Sequence, residues 1–392
     1  MKLKPKHSIA EHFNDIEDVR IERGKKHKLI DIITISICAV VCGADGWIDI
    51  EMYGIARKKW LEKFLELPNG IPSHDTFSRV LSQINPDEFN KSFLSWVKGI
   101  SKITAGEIIA FDGKQSRNSG DKNNGQGAIN TVSAWAVSNK LVLGQKKVEG
   151  KSNEITALPE LIKILDLSGC IVTRRFGGKL PPKSSLTIDA IGCQREIVSK
   201  IVEKDADYVI AVKKNQPTLH EQVKQLFKRA IETHGEALNV SSFNSREMNR
   251  GREEIRNYLM ITDVAERIDP LQKWKKLTSI CMVESVRVVN EKIGIETRYF
   301  ISSLENDAQK LAEAIRGHWS IENSLHWVLD VTFKEDNSRI RRDNAPANFA
   351  VLRHIAVNII SQNKSRKLSV RSKRFLATLD EEYSIELLEA IL

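Results

Sequence analysis

A chain of 392 residues, 41% hydrophobic and 28% charged, has the composition of a globular protein of two or three domains, which excludes a disordered polymer and a membrane-embedded one. Its net charge of +9 favours a polyanionic partner, because each phosphate neutralised by Lys or Arg releases condensed counterions. Five cysteines without a C-x2-C pair exclude a zinc ribbon and a disulfide framework; Cys38 and Cys42 read as small buried hydrophobes in a reducing compartment.

The start MKLKPKHSIAEHF lacks the apolar core of a signal peptide, and the longest apolar run, Leu29 to Cys42, is interrupted by Asp31, Thr34 and Ser36 and is too short to span a bilayer. The expected location is the cytoplasm, associated with the nucleoid, with no membrane partner. That run predicts a helix with Gly43 as its C-cap, and IDIEMYGIARKKWLEKFLEL a second one in which Trp60, Phe64 and Leu67 recur at helical spacing. Ser73 caps HDTFSRVLSQI, and Asn85 with Pro86 opens DEFNKSFLSWVKGI. Residues 1–103 therefore read as an all-helical N-terminal domain, with SHDTFSRVL as a candidate recognition helix for a polyanionic partner.

From residue 104 the texture changes. IIAFDG is an apolar run ending in Asp112, and NTVSAWAV and LVLGQKKV are two strands joined by a tight turn at Ser138 and Asn139. ITALPELIKIL is a helix with Pro159 in its first turn. SLTIDAIG is a strand ending in Asp189, followed by the helix QREIVSKIVEK, the strand ADYVIAVK and the helix TLHEQVKQLFKRAIETH. A β-rich insertion covers about 236–300, with REEIRNYLMI, LTSICMVESVRVV and ETRYFISSL as strands. AQKLAEAIRGHWSIENSLHWVLDVTF is a long helix, and a basic helical tail covers about 340–392. This order predicts an α/β domain over 104–392, RNase H-like, with a mixed sheet flanked by helices.

Two of these strands run apolar into one aspartate and a small residue. A charge at the end of a buried strand is costly unless it is paired or binds a metal. If the two strands are neighbours, Asp112 and Asp189 repel unless a divalent cation lies between them, and oxygen-only ligands suit Mg²⁺ or Mn²⁺. Glu322 is the third candidate, on a helix face that also carries His318 and His326. Either aspartate alone also reads as a turn cap, and Glu322 alone as a solvated helix position. The His-Glu-His stripe lacks the H-E-x-x-H pair of a zinc site. From spacing alone the acids indicate metal-dependent phosphoryl chemistry and no more.

HKLIDIITISICAVVCGADGW and ELPNGIPSHDTFSRV resemble the associated helical domain of bacterial insertion-sequence transposases of the H-repeat-associated group, within the DDE superfamily. IIAFDGK, TIDAIGCQ, DYVIAVKKNQ, RYFISSL, HWSIENSLHWVLDVTFKEDNSR and NAPANFAVLRH resemble the catalytic domain of that group. The resemblance spans nearly the whole chain. It implies metal-dependent cleavage at the element's ends and strand transfer into target DNA, with Asp112, Asp189 and Glu322 on the acidic positions holding two Mg²⁺ or Mn²⁺ ions. Double-stranded DNA, as terminal inverted repeats and target, is the implied partner, bound by a homodimer. The rival expectation is an inactive or repurposed member that binds DNA sequence-specifically without cutting.

Two departures stand out. Related transposases carry Tyr-x2-Arg-x3-Glu-x6-Lys around the glutamate, and here Ile315, His318 and Leu329 take the Tyr, Arg and Lys positions. The family strand runs straight from GCIVT into the second aspartate, whereas here residues 174–187, with glycines, prolines and basic residues, intervene. Candidate DNA contacts are His318, Arg316, Asn215 (beside Gln216), Lys213, Lys214, Arg339, Arg341 and Arg342, with the run Arg57-Lys58-Lys59. Trp319 and Trp327 are expected to pack in the core.

Overall fold

The computed structural model describes residues 9–101, 106–121, 125, 127–148, 154–168, 170–174, 193–249, 252–289 and 292–389. Helices α1 (Ile9–Phe13), α2 (Leu29–Val41), α3 (Trp47–Ala56), α4 (Lys58–Leu61), α5 (His74–Gln83) and α6 (Pro86–Ile100) open the chain. Next come β1 (Ile108–Gln115), β2 (Asn130–Ala136), β3 (Leu141–Val148), α7 (Glu154–Ile164), β4 (Ile171–Arg174), α8 (Arg195–Glu203), β5 (Asp207–Val212) and α9 (Pro217–Glu232). The strands β6 (Asn239–Asn249) and β7 (Arg252–Thr262), the short helix α10 (Ala265–Ile268), and β8 (Ser279–Val289) and β9 (Lys292–Ser302) follow. Then α11 (Ala308–Ser320) leads through a π-helical segment (Ile321–His326) into α12 (Trp327–Val331), a 3-10 turn (Glu335–Asn337), α13 (Ala345–Gln362), α14 (Val370–Leu379) and α15 (Glu381–Glu389).

These elements form two compact units. One comprises residues 1–103, 113–150 and 322–392, the other 104–112 and 151–321. No helix is long and apolar enough to cross a membrane among the described residues.

The first unit is mainly helical. Its spine is α13, in which every residue from Ala345 to Ile360 is buried, so this part of the expected basic tail is core. Two buried asparagines of α13 tie it to its neighbours. Asn358 accepts from the N–H of Val142 at 2.7 Å and donates to its carbonyl at 2.9 Å. Val142 lies beside a β-bulge, since Ala134 pairs with Gly144 and Trp135 with Val142, leaving Leu143 as the extra residue. Asn348 likewise donates to the carbonyls of Leu81 and Ile84 at the end of α5, at 2.8 and 3.0 Å. Ser73 and Asn85 cap α5 and α6 as the sequence predicts. Arg374 of α14 donates to the carbonyls of Val40, Ala44 and Thr332 and pairs with Asp45, closing the end of α2. The single helix expected over 48–67 is instead α3 and the one-turn α4, broken at Arg57, and Leu67 adopts a left-handed φ of 36°.

The second unit carries a mixed sheet in the order β1-β4-β5-β9-β8-β7-β6. Strands β1, β4 and β5 are parallel, and the four from β9 to β6 form an antiparallel meander joined to β5 through β9. Helix α11 lays Ala308, Leu311, Ala312, Ala314 and Ile315 against Ile171, Val209, Met260, Val283 and Phe300 of the sheet, forming its core. On α9, Phe227 stacks on Tyr299 of β9 with ring centroids 6.0 Å apart.

The strand beside β1 is Ile171–Arg174, and the expected strand SLTIDAIG, with Asp189, lies outside the described residues. Two local expectations change. Pro159 is the sixth residue of α7, so it stands in the second turn. The β-rich segment holds four long strands, including β6, whose polar sequence NVSSFNSREMN shows no apolar face. All five cysteines are free and buried, as expected of small hydrophobes.

Candidate functional site

Strand β1 buries Ile109, Ala110 and Phe111, each at most 1% exposed, and pairs in parallel with β4. Asp112 follows directly and is half-buried. Past it the chain continues in strand geometry through Gly113, Lys114 and Gln115.

Glu322 stands in the π-helical segment, also half-buried. That segment replaces the regular helix expected there. Its i→i+5 hydrogen bonds widen the turn, so His318, Glu322 and His326 do not keep the spacing of an uninterrupted α-helical stripe. His318 is 1% exposed, with its Nδ1 3.4 Å from the hydroxyl of Thr173 on β4. The ring expected to meet a phosphate is thus packed on the sheet. Arg316 donates to Glu247 of β6 at 2.8 Å.

The remaining candidates lie at element ends. Lys213 is half-buried and Lys214 and Asn215 exposed, between β5 and the Pro217 that opens α9. Gln216 donates to the carbonyl of Cys193 at 2.8 Å. Arg339 and Arg342 are exposed, and Arg341 donates to the carbonyl of Asn118 at 3.0 Å. With Trp47, Ser78, Asp121, Ile340 and Asp343 these three arginines line a cleft of about 640 Å³. Of the run Arg57-Lys58-Lys59, the first pairs with Glu381 at 2.7 Å and the second with Glu62 at 3.3 Å. Trp319 is half-buried, but Trp327 is 55% exposed, so the core expected for it is not where it lies.

A cluster that the sequence did not disclose gathers within the helical unit. Lys114 Nζ lies 2.6 Å from Asp330, 3.1 Å from Glu335 and 3.3 Å from Asp336, and Glu335 lies 3.6 Å from Arg353. The side chains of Glu335 and Arg353 are each 4% exposed. Burial would pull the Lys114 ammonium down, yet Glu335, Asp330 and Asp336 together hold its pKa above the usual lysine value. Burial pushes the Glu335 carboxyl up, and Arg353 and Lys114 overcome this and hold it below the usual carboxylate range. Beside them, burial and then the charge of Lys114 push His326 down to about 3, and burial holds His354 at about 4 despite Glu335. Both rings are neutral at pH 7. One signal pointed to this place: Lys114 shares the face of Asp112 by strand alternation.

Among the described residues no group of three His, Cys, Asp or Glu side chains is gathered to hold a metal ion. The donor chemistry of Asp112 and Glu322 is all-oxygen, which suits a hard divalent cation such as Mg²⁺ or Mn²⁺ and not a soft one.

Comparison with known proteins agrees with this composition of parts. Residues 103–359 match the family described as "Transposase DDE domain", and residues 10–97 match "DDE_Tnp_1-associated". The chain is 42% identical over 384 residues to "Putative transposase YncI" of Escherichia coli O157:H7, covering 97% of this chain and 94% of that protein. It is 39% identical over 387 residues to "H repeat-associated putative transposase YhhI" of Escherichia coli strain K12, covering 98% and 97%.

Proposed function

The chain belongs to the DDE transposase family, and from that premise we propose that it is a DNA transposase that cuts at insertion-sequence ends and transfers the freed 3'-hydroxyl into target DNA. The observation that carries the reading is Asp112, a half-buried carboxylate placed directly after three buried side chains of a strand paired in parallel with β4. A carboxylate so placed is an oxygen ligand of the kind a hard divalent cation takes.

Asp112, Asp189 and Glu322 are the proposed acidic triad, within an RNase H-like fold, and their carboxylates hold the divalent ions. When bound, such ions supply the pKa lowering that makes water or a 3'-hydroxyl nucleophilic and the charge that steadies the leaving oxygen. The protein's own contribution is positioning: β1 fixes Asp112, and the helical stretch from α11 to α12 fixes Glu322. Lys213, Lys214, Asn215, Arg339, Arg341 and Arg342 are the proposed contacts to the DNA backbone. The exposed Trp327 adds a stacking surface close to Glu322 in sequence. A homodimer joins the two element ends, and the N-terminal helices contribute to end recognition.

The test separates cutting from binding. Asp112→Asn, Asp189→Asn and Glu322→Gln each abolish cleavage of end-bearing DNA while end binding stays within about twofold, an electrostatic backbone term that these acids do not supply. Parallel loss of binding and cleavage overturns the assignment.

A further inference from the structure

We propose that Lys114 is a positioning residue for the two acids Asp112 and Glu322, acting through Asp330, Glu335 and Asp336; the proposal rests on the transposase reading above. Lys114 lies two residues past Asp112 on β1, so both side chains leave the same face of the strand. Its ammonium has three donors, and three carboxylates stand at 2.6, 3.1 and 3.3 Å. Asp330 is on α12, the helix entered directly from the π-helical segment that holds Glu322. The strand segment after Asp112 is thereby tied to the helix after Glu322.

The tie is reinforced by neighbours. The backbone N–H of Arg117 donates to Asp336 at 3.3 Å, its guanidinium pairs with the same carboxylate at 3.2 Å, and Asn118 donates to the Asp336 carbonyl at 2.6 Å. Lys114, Arg117 and Arg353 thus face Asp330, Glu335 and Asp336, three positive charges against three negative. Well-packed apolar groups would stabilise a fold at least as well as a buried ionic cluster of this kind. What the ionic cluster adds is directional: one point charge held by three acids sets the chain on both sides of it. The Lys114 side chain is 11% exposed and fully engaged by acids of its own, so it acts on Asp112 and Glu322 through the backbone and does not touch the substrate.

The experiment uses the full chain. Mn²⁺ binding is read from the free-ion electron paramagnetic resonance signal, alongside cleavage of end-bearing DNA and the urea midpoint, for the parent, Lys114→Met, Lys114→Arg, Asp330→Asn and the double variant K114M/D330N. Lys114→Met is expected to weaken Mn²⁺ binding by about 10- to 100-fold, the range seen when a group supporting metal-bound carboxylates is removed. Lys114→Arg restores most of that loss, and adding D330N to K114M weakens binding no further. If K114M does not fold, D330N and K114R carry the comparison, with D330N weakening Mn²⁺ binding and K114R staying near the parent. Parent-like Mn²⁺ binding in every folded variant overturns the proposal, as does a loss that follows the unfolded fraction alone. A parent protein that neither binds Mn²⁺ nor cuts overturns the transposase reading and this proposal with it, whereas an active parent with an equally active K114M overturns only this proposal.

Discussion

The carboxylate of Glu335 and the guanidinium of Arg353 stand 3.6 Å apart with both side chains 4% exposed, and the Arg353 guanidinium also lies 4.6 Å from the centre of the Phe349 ring. Two charges withdrawn this far from water depend on each other. Removing one leaves the other buried and only partly compensated, at a cost of about 3–5 kcal/mol. Arg353→Met is therefore expected to lower the folding free energy by that amount, and replacing both partners with apolar residues to restore part of it. Urea denaturation checks both; a neutral Arg353→Met contradicts the pairing.

Acid should weaken the helical unit well before the surface carboxylates titrate. His326 is pushed down to about 3 and His354 to about 4, so in the folded chain both stay neutral at pH 5. Unfolded histidines take up protons near pH 6.5, so between that value and the folded pKa the unfolded chain binds more protons and stability falls as pH falls. Each ring contributes up to about 1.4 kcal/mol per pH unit in that window. Glu335, held low, adds in the same direction below about pH 4.5. Urea midpoints at pH 7.5, 6.5 and 5.5 for the parent and for His354→Gln measure this. The variant is expected to show the shallower decline; identical slopes contradict the burial of a neutral ring.

The amide of Asn358 spans the N–H and carbonyl of Val142, a residue with no exposure. Asn358→Leu orphans both groups, at about 1–3 kcal/mol for each. Asn358→Asp keeps an acceptor for the N–H but removes the donor, and it is expected to be at least as damaging because the new charge is buried. Thermal unfolding of the two variants beside the parent decides this.

Trp327, at 55% exposure, has little folding work to do. Trp327→Ala should leave the urea midpoint within about 0.5 kcal/mol of the parent, as exposed positions do. If the indole stacks on a base of bound DNA, the same change weakens binding by about 1–3 kcal/mol, and Trp327→Phe recovers most of it. Unchanged DNA affinity removes Trp327 from the interface.

The parts legible in the sequence were those that local chemistry dictates. Apolar runs disclosed β1, β5 and the hairpin β2–β3, and Ser73 and Asn85 disclosed the starts of α5 and α6. Strand β6 stayed hidden because its residues alternate between half-buried and exposed without an apolar face, and only pairing with β7 makes it a strand. The π-helical segment around Glu322 was invisible since a shift in hydrogen-bond register carries no residue signature of its own. The helix α13 read as a basic tail because Arg353 looks like a surface residue until its buried partner Glu335 is placed. Lys114 was missed for the same reason, its partner Asp336 lying 222 residues away in sequence. Of the proposed triad, Asp112 was read at the end of an apolar run, but β1 continues past it to Gln115; Glu322 was read on a regular helix face, but the turn there is π-helical; Asp189 lies outside the described residues.

The most direct test of the central claim is scission and strand transfer on DNA carrying both element ends, in Mg²⁺ and in Mn²⁺, with Asp112→Asn beside the parent. The account predicts nicked ends and joined products with the parent protein in either metal, none after chelation and none with the variant. End binding by the parent without products in either metal would contradict it and leave a DNA-binding protein that does not cut.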